Sequence, residues 1–168
     1  MLKISAAISC LVLAQQSAFA GSIVHREAVP LQWTVMTDVP GAKVDYPASL
    51  FTLEAGPPPR GTGRVLQSDS HEARFMIYVE DNETRQSPAS FVKSNLTIPE
   101  SQIEYRRITD RFFAISGETD GRTFYSRCNF SRASSERVYC IFLSYRSSET
   151  RFWDDIVTRI SLSLREDK

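Results

Sequence analysis

The chain has 168 residues, 42% hydrophobic and 24% charged, which suits one ordinary globular domain. Lys+Arg and Asp+Glu both number 20, so the basic excess that a nucleic-acid partner would need is missing. Sixteen of the 20 cations are Arg and only four are Lys.

The first twenty residues are set apart from any fold. Met1-Leu2-Lys3 is a short positive start, Ile4 to Leu13 is mostly apolar, and Ala18-Phe19-Ala20 fits a small-x-small cleavage rule. The apolar run is too short to cross a bilayer, which takes roughly 20 residues. The reading is a secretory leader at 1–20, cut after Ala20, and a periplasmic or secreted mature chain with no transmembrane segment. Cys10 leaves with the leader; a lipid-bearing cysteine would follow the apolar run, whereas Leu11-Val12-Leu13-Ala14 continues it. Cys128 and Cys140 remain as an even pair in an oxidising compartment, the setting of a disulfide.

Residues 21–41 are expected to form an irregular lead-in. Leu31, Trp33 and Val35 alternate as a short strand would, but Pro30 and Pro40 bracket them. A single domain is expected over 42–168. It opens with the alternation Ala42-Lys43-Val44-Asp45-Tyr46, stopped at Pro47. Ala48 to Phe51 makes a turn whose apolar end tucks back into the core. Glu54 to Gly63, with Pro57-Pro58-Pro59 and three glycines, is a loop. Its Gly61-Thr62-Gly63-Arg64 lacks the spacing of a phosphate-binding loop.

Arg64 to Gln67 and Ala73 to Val79 read as strands joined by the polar turn 68–72. In the second, Ala73, Phe75, Ile77 and Val79 point one way and Arg74, Met76 and Tyr78 the other. Ser68, Asp69, Ser70 and His71 lie too close in sequence for a hydrolytic triad, whose members are brought together from separate elements. Ser87-Pro88 starts a helix to about Asn95 or Leu96, with Ser87 as its cap and Phe91, Val92 and Leu96 seeking the core.

Gln102 to Tyr145 is a meander of four strands. Ile103, Tyr105 and Arg107 are assigned to one face of the first. Arg111 to Ser116 follows, Asp120-Gly121 marks a hairpin turn, and the last two strands are Thr123–Phe130 and Val138–Tyr145. Direct pairing of Cys128 with Cys140 sets Phe130 opposite Val138, Ser126 opposite Phe142, and Tyr125 opposite Leu143. Phe124, Cys128, Phe130, Val138, Cys140 and Phe142 then share one face. Tyr125, Tyr139, Ile141, Leu143 and Tyr145 share the other. Both faces of this hairpin are apolar, so each must be covered. A final helix begins near Ser148, with Phe152, Trp153, Ile156, Val157, Ile160 and Leu164 as its apolar stripe, and Asp155 spaced to pair with Arg159.

This order of elements, with Val44-Asp45-Tyr46-Pro47-Ala48-Ser49-Leu50-Phe51 and the amphipathic C-terminal helix through Trp153 and Leu164, resembles the PsbP-like family over most of Ala42 to Arg165. Within that group the chain looks most like small exported bacterial proteins. The resemblance implies an α+β fold, an α/β/α sandwich with a central antiparallel sheet of about six or seven strands and a helix on each side. Known members include an extrinsic photosystem II subunit, a Ran-binding import factor and bacterial effector chaperones, mostly binding or assembly proteins.

No catalytic, metal or cofactor motif accompanies the resemblance. The two histidines are far apart, and the cysteines lack C-x-x-C spacing. Arg106, Arg107, Arg127 and Arg146 fall inside predicted strands. Such residues line the solvated face of a sheet or make a groove for an anionic or protein partner. Arg106, Arg127 and Arg146 are the candidate binding surface. The functional expectation is a non-catalytic binding or accessory module of the bacterial cell envelope with an envelope protein as partner. The alternative is a small periplasmic hydrolase with a site near loop 54–63. Asn82, Asn95 and Asn129 stand in N-x-S/T sequences and are coincidental in a bacterial-type chain.

Overall fold

A computed structural model describes residues 30–167 apart from 96 and 133–134. The predicted leader and cleavage site, and Leu96 of the first helix, lie outside these residues. The elements run β1 (Trp33–Val39), β2 (Ala42–Pro47), β3 (Leu53–Glu54), β4 (Thr62–Gln67), β5 (Arg74–Asp81), α1 (Pro88–Asn95), β6 (Ile103–Ile108), β7 (Phe112–Thr119), β8 (Arg122–Phe130), β9 (Arg137–Arg146), α2 (Thr150–Ser163) and β10 (Arg165–Glu166). Short 3-10 turns at Glu100–Gln102 and Ser147–Glu149 lead into β6 and α2.

Seven strands form one antiparallel sheet in the order β3-β4-β5-β9-β8-β7-β6. The meander is therefore as expected, and so is its register: Cys128 pairs with Cys140, Phe130 with Val138 and Tyr125 with Leu143. Asp120 (φ 50°) and Gly121 (φ 71°) are both left-handed, the geometry of a tight hairpin turn whose twist matches its strands.

Alternation along β5, β8 and β9 divides the core in two. On one face Phe75, Ile77, Ile141, Leu143 and Tyr145 meet Trp153, Ile156 and Ile160 of α2. On the other, Tyr78, Phe113, Cys128, Phe130, Val138 and Cys140 meet Phe91 and Val92 of α1. The sandwich follows from the two apolar faces of the central hairpin: neither can be left to water. Helix α1 starts as Ser87-Pro88 predicts, with the Ser90 amide donating to Ser87 Oγ at 3.3 Å and Phe91 N to Ser87 O at 2.9 Å.

Four expectations are corrected. The lead-in is not irregular throughout: Trp33–Val39 is strand β1, paired with β2 in a separate three-stranded sheet, β1-β2-β10. Pro30 and Pro40 lie outside the strand, so neither removes a donor from its ladder. Met36, Val39, Ala42 and Val44 of this sheet join the α2 core, while the Arg159 guanidinium lies 3.9 Å from the centre of the Trp33 ring. Second, α2 begins at Thr150 and not at a Ser148 cap; Thr150 Oγ1 donates to Ser147 O at 2.8 Å. Third, Phe152 is 54% exposed, edge-on to Trp153 over a shallow groove with Leu50 and Ala73. Fourth, the β6–β7 register slips between Ile103 and Tyr105. That one-residue bulge puts Ile103 on the face opposite Tyr105 and Arg107.

Each core encloses a tyrosine whose ionisation burial opposes. Desolvation pushes both Tyr78 and Tyr145 up to about 12. The fold thus favours the neutral phenols. Their contribution is complete below the unfolded value near 10 and is lost as pH rises through the folded value. The urea midpoint should be flat from about pH 6 to 9 and fall above about pH 10. Absorbance at 295 nm should show these two phenols ionising only as the chain unfolds. Ionisation of every tyrosine near pH 10 with the fold intact would contradict this.

Candidate binding surface

The three arginines singled out in the sequence do not converge. Arg106 faces the α1 side of β6, opposite Ile115, and its Nη2 lies 2.5 Å from Glu100 Oε2. Arg146 ends β9 and donates from Nε and Nη2 to the two oxygens of Glu72, at 2.6 and 2.5 Å. This hydrogen-bonded pairing, with a smaller contribution from Arg122, holds the Glu72 carboxyl below its ordinary range. Both arginines are committed within the chain, one to the turn before β6 and one to the turn between β4 and β5.

Arg127 is different. It lies on the α2 side of β8, directly across from Ala114 of β7, and Ala114 in turn pairs with Arg107 of β6. The two arginines therefore flank one small buried residue, two strand spacings or about 10 Å apart at the backbone. Phe112, two residues before Ala114 and on the same face, is the floor they share. The Arg127 guanidinium is 4.3 Å from the ring centre and that of Arg107 is 5.5 Å. Arg127 is further fixed by donating from Nε to Asn129 Oδ1 at 2.9 Å and from Nη1 to Ser161 Oγ of α2 at 3.4 Å. Among the described residues neither guanidinium makes an ion pair with a carboxylate.

Helix α2 packs over β8, β9 and β2, and its Ser161 marks the inner wall of the surface, joined to Tyr125 by a 2.6 Å hydrogen bond. Beyond that wall the outer strands lie open. Tyr105 is 46% exposed, Arg107 is exposed, and Ser116 is half-buried. The result is a shallow basic platform with aromatic flooring, bounded by α2 on one side and by β6, the last strand of the sheet among the described residues, on the other. Two guanidiniums already held against a ring carry little side-chain entropy still to lose, and their unused N–H donors point to carboxylate recognition.

Arg107 lies on a predicted strand and is absent from the predicted surface. The signal that finds it is the turn geometry. The Asp120-Gly121 turn pairs Thr119 with Arg122 and so Ala114 with Arg127, and the tight turn after Ile108 pairs Ile108 with Phe113 and so Arg107 with Ala114. The polar turn 68–72 stays a turn: the His71 ring sits beside Gln67, its Nδ1 3.3 Å from Oε1. Among the described residues no cluster of three or more His, Cys, Asp or Glu is arranged to hold a metal ion, and no helix is long and apolar enough to cross a membrane.

Comparison with known proteins bears on the fold. No family model matches the chain, and no curated protein matches it. Among solved structures, it is similar to the solution structure of cyanobacterial PsbP (CyanoP) from Synechocystis sp. PCC 6803. The TM-score is 0.58 with 11% identity, over 88% of this chain and 99% of that one. At that identity what is shared is architecture: the chain has a PsbP-like fold.

Proposed function

We propose that this chain is an exported, non-catalytic accessory module of the bacterial cell envelope that holds an acidic segment of a protein partner on the Arg107–Arg127 platform. The observation that carries this reading is the pair of guanidiniums seated on Phe112 without a carboxylate of their own. Export is supported by the leader-like residues 1–20 and by the Cys128–Cys140 disulfide, a bond suited to an oxidising compartment. The accessory role is supported by the fold, whose known members, as the resemblance implies, are mostly binding and assembly proteins. The hydrolase alternative near loop 54–63 gains less. The loop approaches Tyr78, whose phenol burial pushes up to about 12, its proton held too tightly for transfer at neutral pH, and Glu80, whose carboxyl burial raises but which the loop's own Arg60 holds in an ion pair at 3.3 Å.

The test is titration of the isotope-labelled mature chain, Gly21–Lys168, with a short Asp/Glu-rich peptide containing one aromatic residue. Amide shifts are expected at Tyr105, Arg107, Phe112 and Arg127. Hydrogen bonds to charged groups contribute about 1.5–3 kcal/mol each, so Arg107→Gln with Arg127→Gln should weaken binding at least tenfold, and more at low salt. Arg106→Gln with Arg146→Gln should change it less than about threefold, since those charges are already spent on Glu100 and Glu72. Equal weakening by both pairs would show only a net-charge effect and would remove the platform from the argument. The same variants then decide whether a partner cross-linked in native envelope extract docks there.

A further inference from the structure

The opposite face of the sheet carries a second feature, independent of the basic platform. Helix α1 is only eight residues long and does not cover the whole disulfide face. Where it stops, a cavity of about 160 Å³ opens between Phe91 and Val92 of the helix and Ile115, Ser126, Cys128 and Phe142 of the sheet. An apolar cavity of about 150 Å³ accepts a benzene-sized molecule. The two exposed residues of its lining are Arg60, from the Pro/Gly loop, and Thr97, just past α1, and these mark the mouth.

Arg60 is the one donor-only group of the lining, and the hydroxyls of Tyr78, Thr97 and Ser126 can each donate to an acceptor. The Ser126 hydroxyl has no hydrogen-bond partner among the described residues. The Tyr78 hydroxyl lies beside the Arg60 guanidinium, and burial keeps it protonated. Arg60 is braced from two sides: Nη2 donates to Asn95 Oδ1 at 2.8 Å, and Nε lies 3.3 Å from Glu80 Oε2. Of its five N–H donors these two contacts and the Tyr78 hydroxyl take three, and two remain for an acceptor at the mouth. Glu80 itself is not in the cavity; it lines the neighbouring cleft with Pro40 and Gly61. Space for one ring, apolar walls, and the Arg60 guanidinium with the Tyr78 hydroxyl beside it specify a ligand with an apolar body and an anionic head.

We infer that this cavity is a binding site for a small monocarboxylate with a single-ring or similarly compact apolar body, the body inserted between α1 and the sheet and the carboxylate held by Arg60. Benzoate, benzyl alcohol and benzylamine are the probes, titrated into the labelled mature chain with its disulfide intact. Benzoate should give saturable shifts at Phe91, Ile115 and Ser126 and bind at least tenfold more tightly than benzylamine. Arg60→Met should bring benzoate down to the affinity of benzyl alcohol while leaving the latter within about threefold. Ser126→Leu should abolish binding of all three by filling the space. Should that variant fail to fold, Thr97→Trp closes the mouth from outside. Benzylamine binding as tightly as benzoate, shifts that rise linearly without saturating, or binding retained when the cavity is filled or closed would each overturn the assignment. Arg107→Gln with Arg127→Gln should leave benzoate binding unchanged, so the two sites fail or stand separately.

Discussion

Trp153→Ala should be the most damaging single substitution in this domain, lowering stability by about 3–5 kcal/mol, the cost of truncating a buried Trp or Phe. Trp153 is 4% exposed and is where three parts of the chain meet. Its ring stacks on Tyr145 of β9 with centroids 5.3 Å apart and lies 5.7 Å from Phe51, the residue that ends the turn after β2. Phe51 in turn packs on Phe75 of β5 at 5.4 Å. The indole also donates from Nε1 to Glu149 Oε2 at 3.1 Å, tying the start of α2. Removing the ring opens a void between rigid strands and a helix, and a void so framed collapses only partly. With a urea slope near 2 kcal/mol/M, the midpoint read by circular dichroism should fall by roughly 2 M. Trp153→Phe, which keeps a ring against Tyr145 but loses the hydrogen bond, should cost about half as much or less. A Trp153→Ala loss below about 1 kcal/mol would mean that α2 is held mainly by its lower half, Ile156 to Leu164, and that Phe51 does not depend on it.

How far the fold could be read beforehand depended on where a local rule met a global constraint. The meander was legible because Asp120-Gly121 fixes one turn and Cys128 with Cys140 fixes the next register; two constraints on adjacent hairpins leave the strands no freedom to slip. The start of α1 was legible because Ser87-Pro88 is a local stop and start signal needing no tertiary partner. Strand β1 was not. Its residues Val35 and Met36 differ in burial only because β2 and the α2 core lie on one side, and Pro30 and Pro40 read as breakers until the chain between them is counted. The platform was half legible. Arg127 belongs to the predicted surface together with Arg106 and Arg146, but whether Arg106 or Arg107 joins it depends on a one-residue register, and sheets reverse a side chain's face with every residue. The cavity gave no sequence signal at all, because it is made by the place where α1 stops, with walls from α1, four strands of the sheet, and the loops before β4 and after α1.

Removal of the disulfide as Cys128→Ala with Cys140→Ala should lower stability by about 3 kcal/mol. The bond spans a sequence separation of 12, and closing a loop of that size in the unfolded chain contributes about this much in the chain-entropy account. For a domain of this size that is a fall in Tm of roughly 6–12 °C. The position matters as much as the loop. The two Cα atoms are 4.1 Å apart, the close spacing of a non-hydrogen-bonded antiparallel pair, so the side chains already meet without rearranging the strands. They join β8 and β9 near the centre of the seven-stranded sheet, and both sulfur-bearing residues are buried, Cys128 at 1% and Cys140 at 0% exposure. A thiol reductant has to wait for the sheet to open. Reduction of the native protein by dithiothreitol should therefore be slow and should accelerate in step with urea-induced opening, because attack requires access to a sulfur. Fast reduction with the fold intact would show that the α1 side opens locally, at the cavity wall that Cys128 forms, without the rest of the sheet. A stability loss under 1 kcal/mol would instead place the value of the bond outside folding thermodynamics and weaken the argument that this domain is adapted to an oxidising compartment. With typical domain stabilities of about 5–15 kcal/mol, the predicted loss is large enough that a chain folded under reducing conditions would be markedly less stable than one that had been exported and oxidised.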